Sequence, residues 1–528
     1  MKSHIVILLF CLSGLFSCTT GFEEINDNPN EPTEVDPDFL LTTSIFETMN
    51  QFGGEMNRIV FFNYTNHFSG FNGQFQRYTF DPVGVDAYWE NIYINCLQPV
   101  HQIEANFSED PSFNNRVAIA KIWKAYIYAN TVAIWGGIPI TESLTGSPSV
   151  SYEKESEVYY TLLENLKMFA NSINLQGDRY GANADKVYGG DLLKWKKFAT
   201  TLRLQLAVRI SEAAPNVAES VIKEIALDEQ NTINKNDETA SANWGNTSDT
   251  WSPLYDRAVK NRSANLATIP VLNEALVYHT LPYKDPRLHI YAQVAEEGPN
   301  KGEYFGQNTS YGGGGEFAGD IVNPHTGLKQ QDYSPIGARF LQPDAEYVFL
   351  SYAQSSLLKA EAALKGWWPG NAEELYYEGI DASFAHYGLT AGQADIYKNT
   401  PGIKWGSSSD IEGRETEFQD WLQIASSAID GTDYFRQIVM QNWLAIPMQG
   451  VDAWSLIRRT RVLEFQPQFS TYDGNYAYVP NRLPYAGSEY QTNTVEVEKA
   501  VGALGGPDDL WTKLWFALPH VPNPNLPY

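Results

Sequence analysis

The chain has 528 residues, with 37 Lys and Arg against 63 Asp and Glu, which gives a formal net charge of −26. A surface this acidic repels nucleic acid and anionic lipid headgroups, so composition argues against both as partners and favours neutral or cationic ligands. About 500 residues are enough to bury a large core, so the fold does not need covalent cross-links.

The first segment with a clear meaning is the N-terminus. Residues 5–12 are apolar and follow a short basic start; such a run is too short to span a bilayer but suits a secretory signal. The four residues that end at Cys18, Leu-Phe-Ser-Cys, resemble a bacterial lipobox, in which the thiol receives a diacylglycerol group. We therefore expect residues 1–17 to be a lipoprotein signal peptide and Cys18 to be lipidated, because two or three acyl chains anchor a protein stably. The alternative is an ordinary cleaved signal with an incidental cysteine.

The next segment, residues 18–38, is polar, acidic and proline-containing, and it shows no sustained helical period. It predicts an extended tether behind the lipid. No linker-like run divides the remainder, so we expect residues 39–528 to form a single domain. With Cys11 in the signal and Cys18 lipidated, Cys96 is left alone, and no intramolecular disulfide is possible.

Several segments carry the period of amphipathic helices. The spacing predicts helices at residues 116–135, 190–213, 346–366 and 371–387. A Pro-Gly turn separates the last two, and a long helix, a short turn and a shorter helix form the pattern of a tetratricopeptide-like hairpin, although no strict repeat can be aligned. Loops of more than about 15 residues are usually functional, so we expect a mainly α fold with long irregular ligand-binding insertions. These irregular stretches are residues 136–152, 228–265, 296–345, 388–412 and 465–494.

The sequence lacks the short motifs of common enzymes. It contains no Gly-x-x-x-x-Gly-Lys-Ser/Thr phosphate loop, no Gly-x-Ser-x-Gly elbow and no His-Glu-x-x-His metal motif, and its eight histidines do not pair at ligand spacing. No Asp-x-Asp-x-Asp-Gly calcium loop is present, although calcium could assist binding without one. We therefore expect no catalytic residue, no metal site and no cofactor. A glycoside hydrolase remains an alternative, because a carboxylate pair about 5–10 Å apart leaves no mark in a sequence.

Three clusters of aromatic and polar side chains are candidates for a ligand site. Sugars present apolar C–H faces ringed by hydroxyl groups, so a lectin-like site needs aromatic rings beside hydrogen-bonding groups, each contact worth on the order of 1 kcal/mol. Each cluster has an alternative interpretation as core packing. The candidate residues are Tyr64, His67, Phe68 and Phe71 in the first cluster, Trp244, Trp251, Tyr255 and Arg257 in the second, and Tyr304 and Tyr311 in the third.

A series of short motifs along nearly the whole chain resembles the SusD/RagB family of nutrient-binding outer-membrane lipoproteins. Each motif is weak by itself, and their order behind the lipobox carries the resemblance. At Gly137 the chain departs from the family's Trp-Gly-Asp-Ile/Val-Pro turn, which has Asp at that position. The motifs are Ile134-Trp135-Gly136-Gly137-Ile138-Pro139, Lys284-Asp285-Pro286-Arg287-Leu288, Ala453-Trp454-Ser455-Leu456-Ile457-Arg458-Arg459-Thr460 and Pro480-Asn481-Arg482-Leu483-Pro484-Tyr485.

The resemblance implies a helical, SusD-like fold built on four tetratricopeptide-like helix pairs, in which Arg458 and Arg459 satisfy carboxylates or loop carbonyls. It also implies a lipid-anchored outer-membrane protein, facing the cell exterior, that delivers a nutrient to a TonB-dependent transporter of the SusC type without catalysis. Oligosaccharide is the first choice of ligand and peptide the second. The alternatives are a surface glycoside hydrolase and a scaffold that contacts only proteins. The family places its ligand groups in variable insertions, so no site residue follows from the resemblance.

Overall fold

The computed structural model describes residues 36–69, 81–147, 149–260, 269–307, 332–407, 434–463 and 479–519, and the backbone of 468–469 and 476–477. Helices dominate these ranges, and the strands are short. An apolar core draws on helices from both halves of the chain. Its largest fully buried side chains include Trp123, Trp135, Trp195, Trp443 and Trp454. The expectation of a mainly α fold is confirmed.

The N-terminal half is a succession of helices. They are α1 (Pro37–Thr48), α2 (Phe62–Thr65), α3 (Pro82–Asn91), α4 (Gln98–Phe107), α5 (Asn114–Trp135), α6 (Glu155–Ser172), α7 (Leu192–Arg209) and α8 (Pro215–Ala226). Helix α1 begins inside the predicted tether, because Pro37 suits the first helical position and Asp36 accepts the N–H of Asp38 at 2.9 Å. Between α1 and α2 the chain stays helical, in two π-helical segments (Met49–Glu55 and Asn57–Phe61), and a third (Ile92–Leu97) joins α3 to α4.

The C-terminal half, in its described residues, combines helices with short antiparallel strand pairs, two of which take one strand from the N-terminal half. Its helices are α9 (Pro253–Tyr255, continued by the π-helical segment Asp256–Lys260), α10 (Glu274–Thr280), α11 (Leu288–Tyr291), α12 (Tyr352–Leu364), α13 (Ala372–His386), α14 (Ala391–Lys398), α15 (Tyr434–Ala445), α16 (Gly450–Thr460), α17 (Gly487–Thr492) and α18 (Thr494–Ala503). The strands are β1 (Phe68–Ser69) with β3 (Val271–Leu272), β2 (Ala240–Asn243) with β4 (Glu346–Leu350), and β5 (Gln468–Phe469) with β6 (Tyr476–Ala477).

The predicted hairpin is present as α12 and α13. Gly366 and Gly388 follow the two helices with φ of +75° and +76°, the left-handed conformation that ends a helix most easily at glycine. The helices pack closely at Gly379, where an added Cβ would lie 2.5 Å from Leu357 Cγ. The absence of a side chain at Gly379 therefore permits the close spacing of the two helices.

The prediction of one helix over residues 346–366 is wrong for its first five residues. Glu346–Leu350 forms β4 against β2, and the chain turns into α12 at Ser351, whose hydroxyl accepts the N–H of Gln354 at 3.1 Å. A short run of apolar and aromatic residues fits either period, and pairing with β2 decides for the strand. The predicted irregular stretch 388–412 likewise contains α14, capped by Thr390.

Buried arginines join the helices. The Arg459 guanidinium donates to both oxygens of Glu361 at 2.6 and 2.7 Å, which links α16 to α12. Arg458 donates to the carbonyls of Asn481 and Ala133 at 2.6 and 2.7 Å. As expected, Arg459 satisfies a carboxylate and Arg458 a loop carbonyl, that of Asn481, while the second carbonyl that Arg458 satisfies belongs to helix α5.

The turn after α5 explains the departure of Gly137 from the family pattern. Ile138 and Glu153 form an isolated antiparallel bridge beside it. An added Cβ at Gly137 would lie 2.7 Å from the carbonyl oxygen of Glu153, closer than side chains approach a backbone. A side chain at residue 137 would therefore have to push the bridging segment away.

Candidate ligand-binding surface

Described residues that border three undescribed stretches of the chain, 70–80, 261–268 and 308–331, lie at the small sheet of β1 and β3. Ser69 pairs with Val271, the Leu272 N–H donates to the Ser334 carbonyl at 2.7 Å, and the Gln307 N–H donates to the Leu272 carbonyl at 2.7 Å. As a result, the described residues on both sides of 308–331, those before 70–80 and those after 261–268 lie at this sheet. Phe68 of the first predicted cluster therefore lies in this sheet, and Tyr304 of the third lies three residues before Gln307.

The first cluster belongs to the core beneath the sheet. The side chains of Tyr64, His67 and Phe68 are at most 3% exposed. The His67 ring stacks on Trp443 with centroids 4.2 Å apart, and its Nε2–H donates to the Trp443 carbonyl at 2.9 Å. Burial lowers the pKa of His67 to about 3, so the imidazole is neutral. These three rings have no open face for a sugar in this conformation, as the packing interpretation expects. Phe71 lies outside the described residues.

The second cluster divides between the core and the surface. Trp244 is buried at the end of β2, where its indole Nε1–H donates to Asn50 Oδ1 at 3.0 Å. Trp251 and Tyr255 are half-buried and form an edge-to-face pair with centroids 5.4 Å apart. The Lys260 ammonium lies 5.6 Å from the Trp251 ring centroid, and Arg257 is exposed on the same short helical segment. We call Trp251, Tyr255, Arg257 and Lys260 the aromatic platform.

Backbone hydrogen bonds, one local and one to a distant segment, hold the loop that carries the platform. Gly245 and Thr250 close a turn, with the glycine N–H donating to the Thr250 carbonyl at 2.8 Å. The Ser252 N–H then donates to the Pro343 carbonyl at 2.8 Å. Next to Pro343 is the 3₁₀ turn Ala338–Leu341, whose Phe340 ring meets Phe68 of β1 at 6.5 Å. The platform and the sheet are therefore connected through one packed turn.

The third cluster has one described member. Tyr304 is half-buried, and its hydroxyl lies 2.7 Å from Nδ1 of the exposed His289. The two rings meet at 62° with centroids 5.3 Å apart. Burial raises the pKa of Tyr304, so the phenol keeps its proton and can both donate and accept hydrogen bonds. Tyr311 lies outside the described residues.

Sequence reasoning missed Lys260, His289 and Asn50. Lys260 is nine residues from Trp251, so no helical spacing connects them, and only the turn at Ser252 brings the ammonium over the ring. His289 and Asn50 come from distant segments and meet their partners through tertiary packing. A basic residue shortly after an aromatic loop was the one signal that could have pointed to Lys260.

Two carboxyl groups with raised pKa values lie in the core. Burial raises the pKa of Glu155 to about 7, and Glu155 accepts the N–H groups of Trp515 and Phe516. Burial also raises the pKa of Asp452, although Arg209 donates to it at 2.9 Å. Both groups are committed to protein hydrogen bonds, so their shifts have a structural cause. Within the described ranges, no group of three or more His, Cys, Asp or Glu side chains is arranged to hold a metal ion.

The hairpin of α12 and α13 and the arginine-linked helix seams define a helical protein of the tetratricopeptide-like class. A family profile described as starch-binding and associating with the outer membrane matches residues 29–486. The chain therefore belongs to the SusD-like family, which confirms the resemblance seen in its motifs. No helix in the described part of the chain is long and apolar enough to cross a bilayer.

Solved structures share the fold. A chitin-binding protein is 24% identical with a TM-score of 0.74, and 92% of this chain covers 100% of that one. A chitin-binding SusD homologue from Flavobacterium johnsoniae is 20% identical with a TM-score of 0.72, covering 92% of this chain and 99% of the other. A SusD homologue from Parabacteroides distasonis is 17% identical with a TM-score of 0.76 and coverages of 92% and 98%. A search of curated proteins found no significant match.

Proposed function

We propose that this protein is a cell-surface lipoprotein that captures an oligosaccharide and delivers it to a TonB-dependent transporter of the SusC type. Membership of a family described as starch-binding and associating with the outer membrane supports the binding role and the location. The lipobox that ends at Cys18 supports the lipid anchor. Cys18 lies outside the described residues, so the anchor is proposed from the sequence alone.

The observation that carries the binding proposal is the aromatic platform. Trp251 and Tyr255 are half-buried and packed edge to face, so their rings are held in place before a ligand arrives. Lys260 and Arg257 beside them supply N–H donors for sugar hydroxyl groups. Contacts of about 1 kcal/mol each add up to weak binding, and a total of about 4 kcal/mol corresponds to a millimolar dissociation constant, which suits a carrier that must release its cargo.

The similar structures suggest which sugar to try first. Two of them are described as chitin-binding, so we infer that β-linked N-acetylglucosamine oligomers are the first class to test and starch-type oligomers the second. The net charge of −26 disfavours anionic polymers, since the protein as a whole repels them. Among ligands other than sugars, basic peptides are the alternative class, because the negative charge of the protein attracts them.

The direct test is calorimetric binding of the chain from residue 19 onward to chito-oligomers, malto-oligomers, acidic glycans and a peptide digest. We expect a neutral oligosaccharide to bind, and Trp251→Ala to weaken it at least about tenfold through the loss of ring stacking. Trp367→Ala is the matched control, because Trp367 is also half-buried with a lysine ammonium 5.3 Å from its ring centroid, but it follows α12. Equal losses in the two variants would contradict a site at Trp251.

The alternative functions have separate readouts. Mass spectrometry of the recovered oligosaccharide tests for hydrolysis, and we expect its chain length to be unchanged. Binding of peptides alone would keep the transporter role and replace the ligand class. Co-purification from detergent-solubilised membranes tests the transporter, and the absence of any β-barrel partner would overturn that part of the proposal. If no ligand of the panel binds but a soluble protein does, the result would favour a scaffold that contacts only proteins.

A further inference from the structure

Two adjacent glycines lie within the helical run between α1 and α2. Gly53 and Gly54 lie in the π-helical segment Met49–Glu55. A glycine inside a helix costs roughly 0.5–1 kcal/mol relative to alanine, so a pair of them needs a reason. π-helical segments are rare and are found frequently at functional sites. The neighbours packed against the two glycines supply this reason.

The two glycines face different neighbours. A Cβ added to Gly54 would lie 2.5 Å from Pro253 Cγ, and one added to Gly53 would lie 2.5 Å from the Tyr347 ring. Pro253 begins α9, which includes Tyr255 of the aromatic platform, whereas Tyr347 belongs to β4 in the core. The absence of a side chain at Gly54 therefore lets α9 pack directly on the backbone of the π-helical segment.

Pro253 determines where the platform lies. Trp251 precedes it by two residues and Tyr255 follows it by two, and the proline ring fixes its own φ, so little backbone freedom separates the contact from the rings. The same π-helical segment holds the other end of the loop, because Asn50 Oδ1 accepts the indole N–H of Trp244 at 3.0 Å. The loop is thus attached to Met49–Glu55 at two points.

We propose that Gly54 is a positioning residue for the ligand site: it seats Pro253 and thereby sets the position of the Trp251–Tyr255 pair. The inference rests on the proposed function only in that the ligand is the one bound by the platform. Ordinary van der Waals contact begins at 3.4 Å, so a methyl group at Gly54 displaces Pro253 by about 1 Å. Binding sites generally tolerate only about 0.5 Å of such displacement.

The test compares Gly54→Ala with Gly53→Ala in the full chain purified in detergent. Hydrogen exchange followed by mass spectrometry reads the platform peptide, residues 251–260, without any ligand. We expect at least about tenfold faster exchange in this peptide for Gly54→Ala and no change there for Gly53→Ala, whose clash is with the core. Denaturant unfolding of both variants measures the general loss of stability that the two share.

A second substitution shows whether the contact itself is responsible. Pro253→Ala removes Cγ and Cδ, the nearest and third-nearest atoms to the added methyl group, so the double variant Gly54→Ala with Pro253→Ala should regain slow exchange in residues 251–260. Chito-oligomer affinity should follow the same order, about tenfold weaker in Gly54→Ala and partly restored in the double variant.

The outcomes separate the two proposals. Unchanged exchange in residues 251–260 of a folded Gly54→Ala protein would overturn the seating role, whatever the ligand. Changed exchange with no glycan binding by the unsubstituted chain would keep the seating role and overturn the proposed function. Equal effects of Gly53→Ala and Gly54→Ala on this peptide would also overturn the inference, because the cause would then be general destabilisation.

Discussion

The pH dependence of stability offers a sharp test through Glu155, at the start of α6. The residue is 8% exposed, and its carboxylate accepts the N–H of Trp515 at 2.7 Å and that of Phe516 at 3.3 Å. Burial raises the pKa of Glu155 from 4.5 to about 7, against the opposing effects of these N–H groups and of Arg458 and Lys513. The carboxyl group thus joins the C-terminal segment to the helical core.

The direction in which stability changes with pH follows from proton binding to Glu155. Between pH 4.5 and about pH 7 the folded protein holds a proton on Glu155 that the unfolded chain releases, so stability rises as the pH falls through this window. The contribution is complete below the unfolded pKa and absent above the folded one. Integration from pH 8 to pH 5.5 gives a gain of about 2 kcal/mol in the free energy of unfolding.

The measurement is urea unfolding of the unsubstituted protein and of Glu155→Gln at pH 8 and pH 5.5. Glutamine keeps a carbonyl acceptor for the Trp515 N–H but does not titrate. The difference between the two proteins should shift by about 2 kcal/mol in favour of the unsubstituted protein at the lower pH. Other titrating groups, the buried histidines included, contribute to both proteins and cancel. An equal difference at the two pH values would refute the reasoning.

Three further predictions concern packing and charge in the core. Arg459→Met leaves Glu361 buried without its bidentate partner and should lower the free energy of unfolding by about 3–5 kcal/mol, which a denaturant midpoint measures; a loss below about 1 kcal/mol would contradict the geometry. Burial lowers the pKa of His67 from 6.5 to about 3, so stability present at neutral pH is lost as the pH falls below 6.5. His67→Phe should therefore flatten the acid side of the stability profile by about 1.4 kcal/mol per pH unit between pH 6 and pH 4, and parallel profiles would refute this. Gly379→Ala should lower the free energy of unfolding by about 1–3 kcal/mol, because its methyl group would overlap Leu357. A higher free energy of unfolding, as helix propensity alone would give, would instead show that the two helices move apart to accept the methyl group.

Local patterns made several features of this protein predictable. The periods in residues 116–135 and 190–213 correspond to α5 and α7, which the structure buries on nearly all faces in the core. The hairpin of α12 and α13 was readable from its turn glycines, which few other residues can replace at positive φ. The order of the short motifs along the chain was enough to indicate the family, and the family profile agrees.

Other features were open in the sequence because they depend on distant contacts. The residues of β4 fit a helix or a strand, and pairing with β2 decided between them. Within the aromatic clusters, the sequence could not separate His67, which stacks on Trp443 in the core, from Trp251, which stays half-buried at the surface. Both belong to aromatic segments rich in polar residues, and burial depends on what the rest of the chain places against each ring.

The sequence by itself determined the acidic charge, the helical class and the family, and it predicts the export signal. These depend on composition, spacing and residue order, which are properties of the chain in any conformation. Only the tertiary structure decided which aromatic rings remain accessible, that Lys260 lies over Trp251, and that Gly54 meets Pro253 some 200 residues away in the chain. A ligand surface is made of side chains that the core leaves uncovered. Which side chains these are is known only once the core is packed.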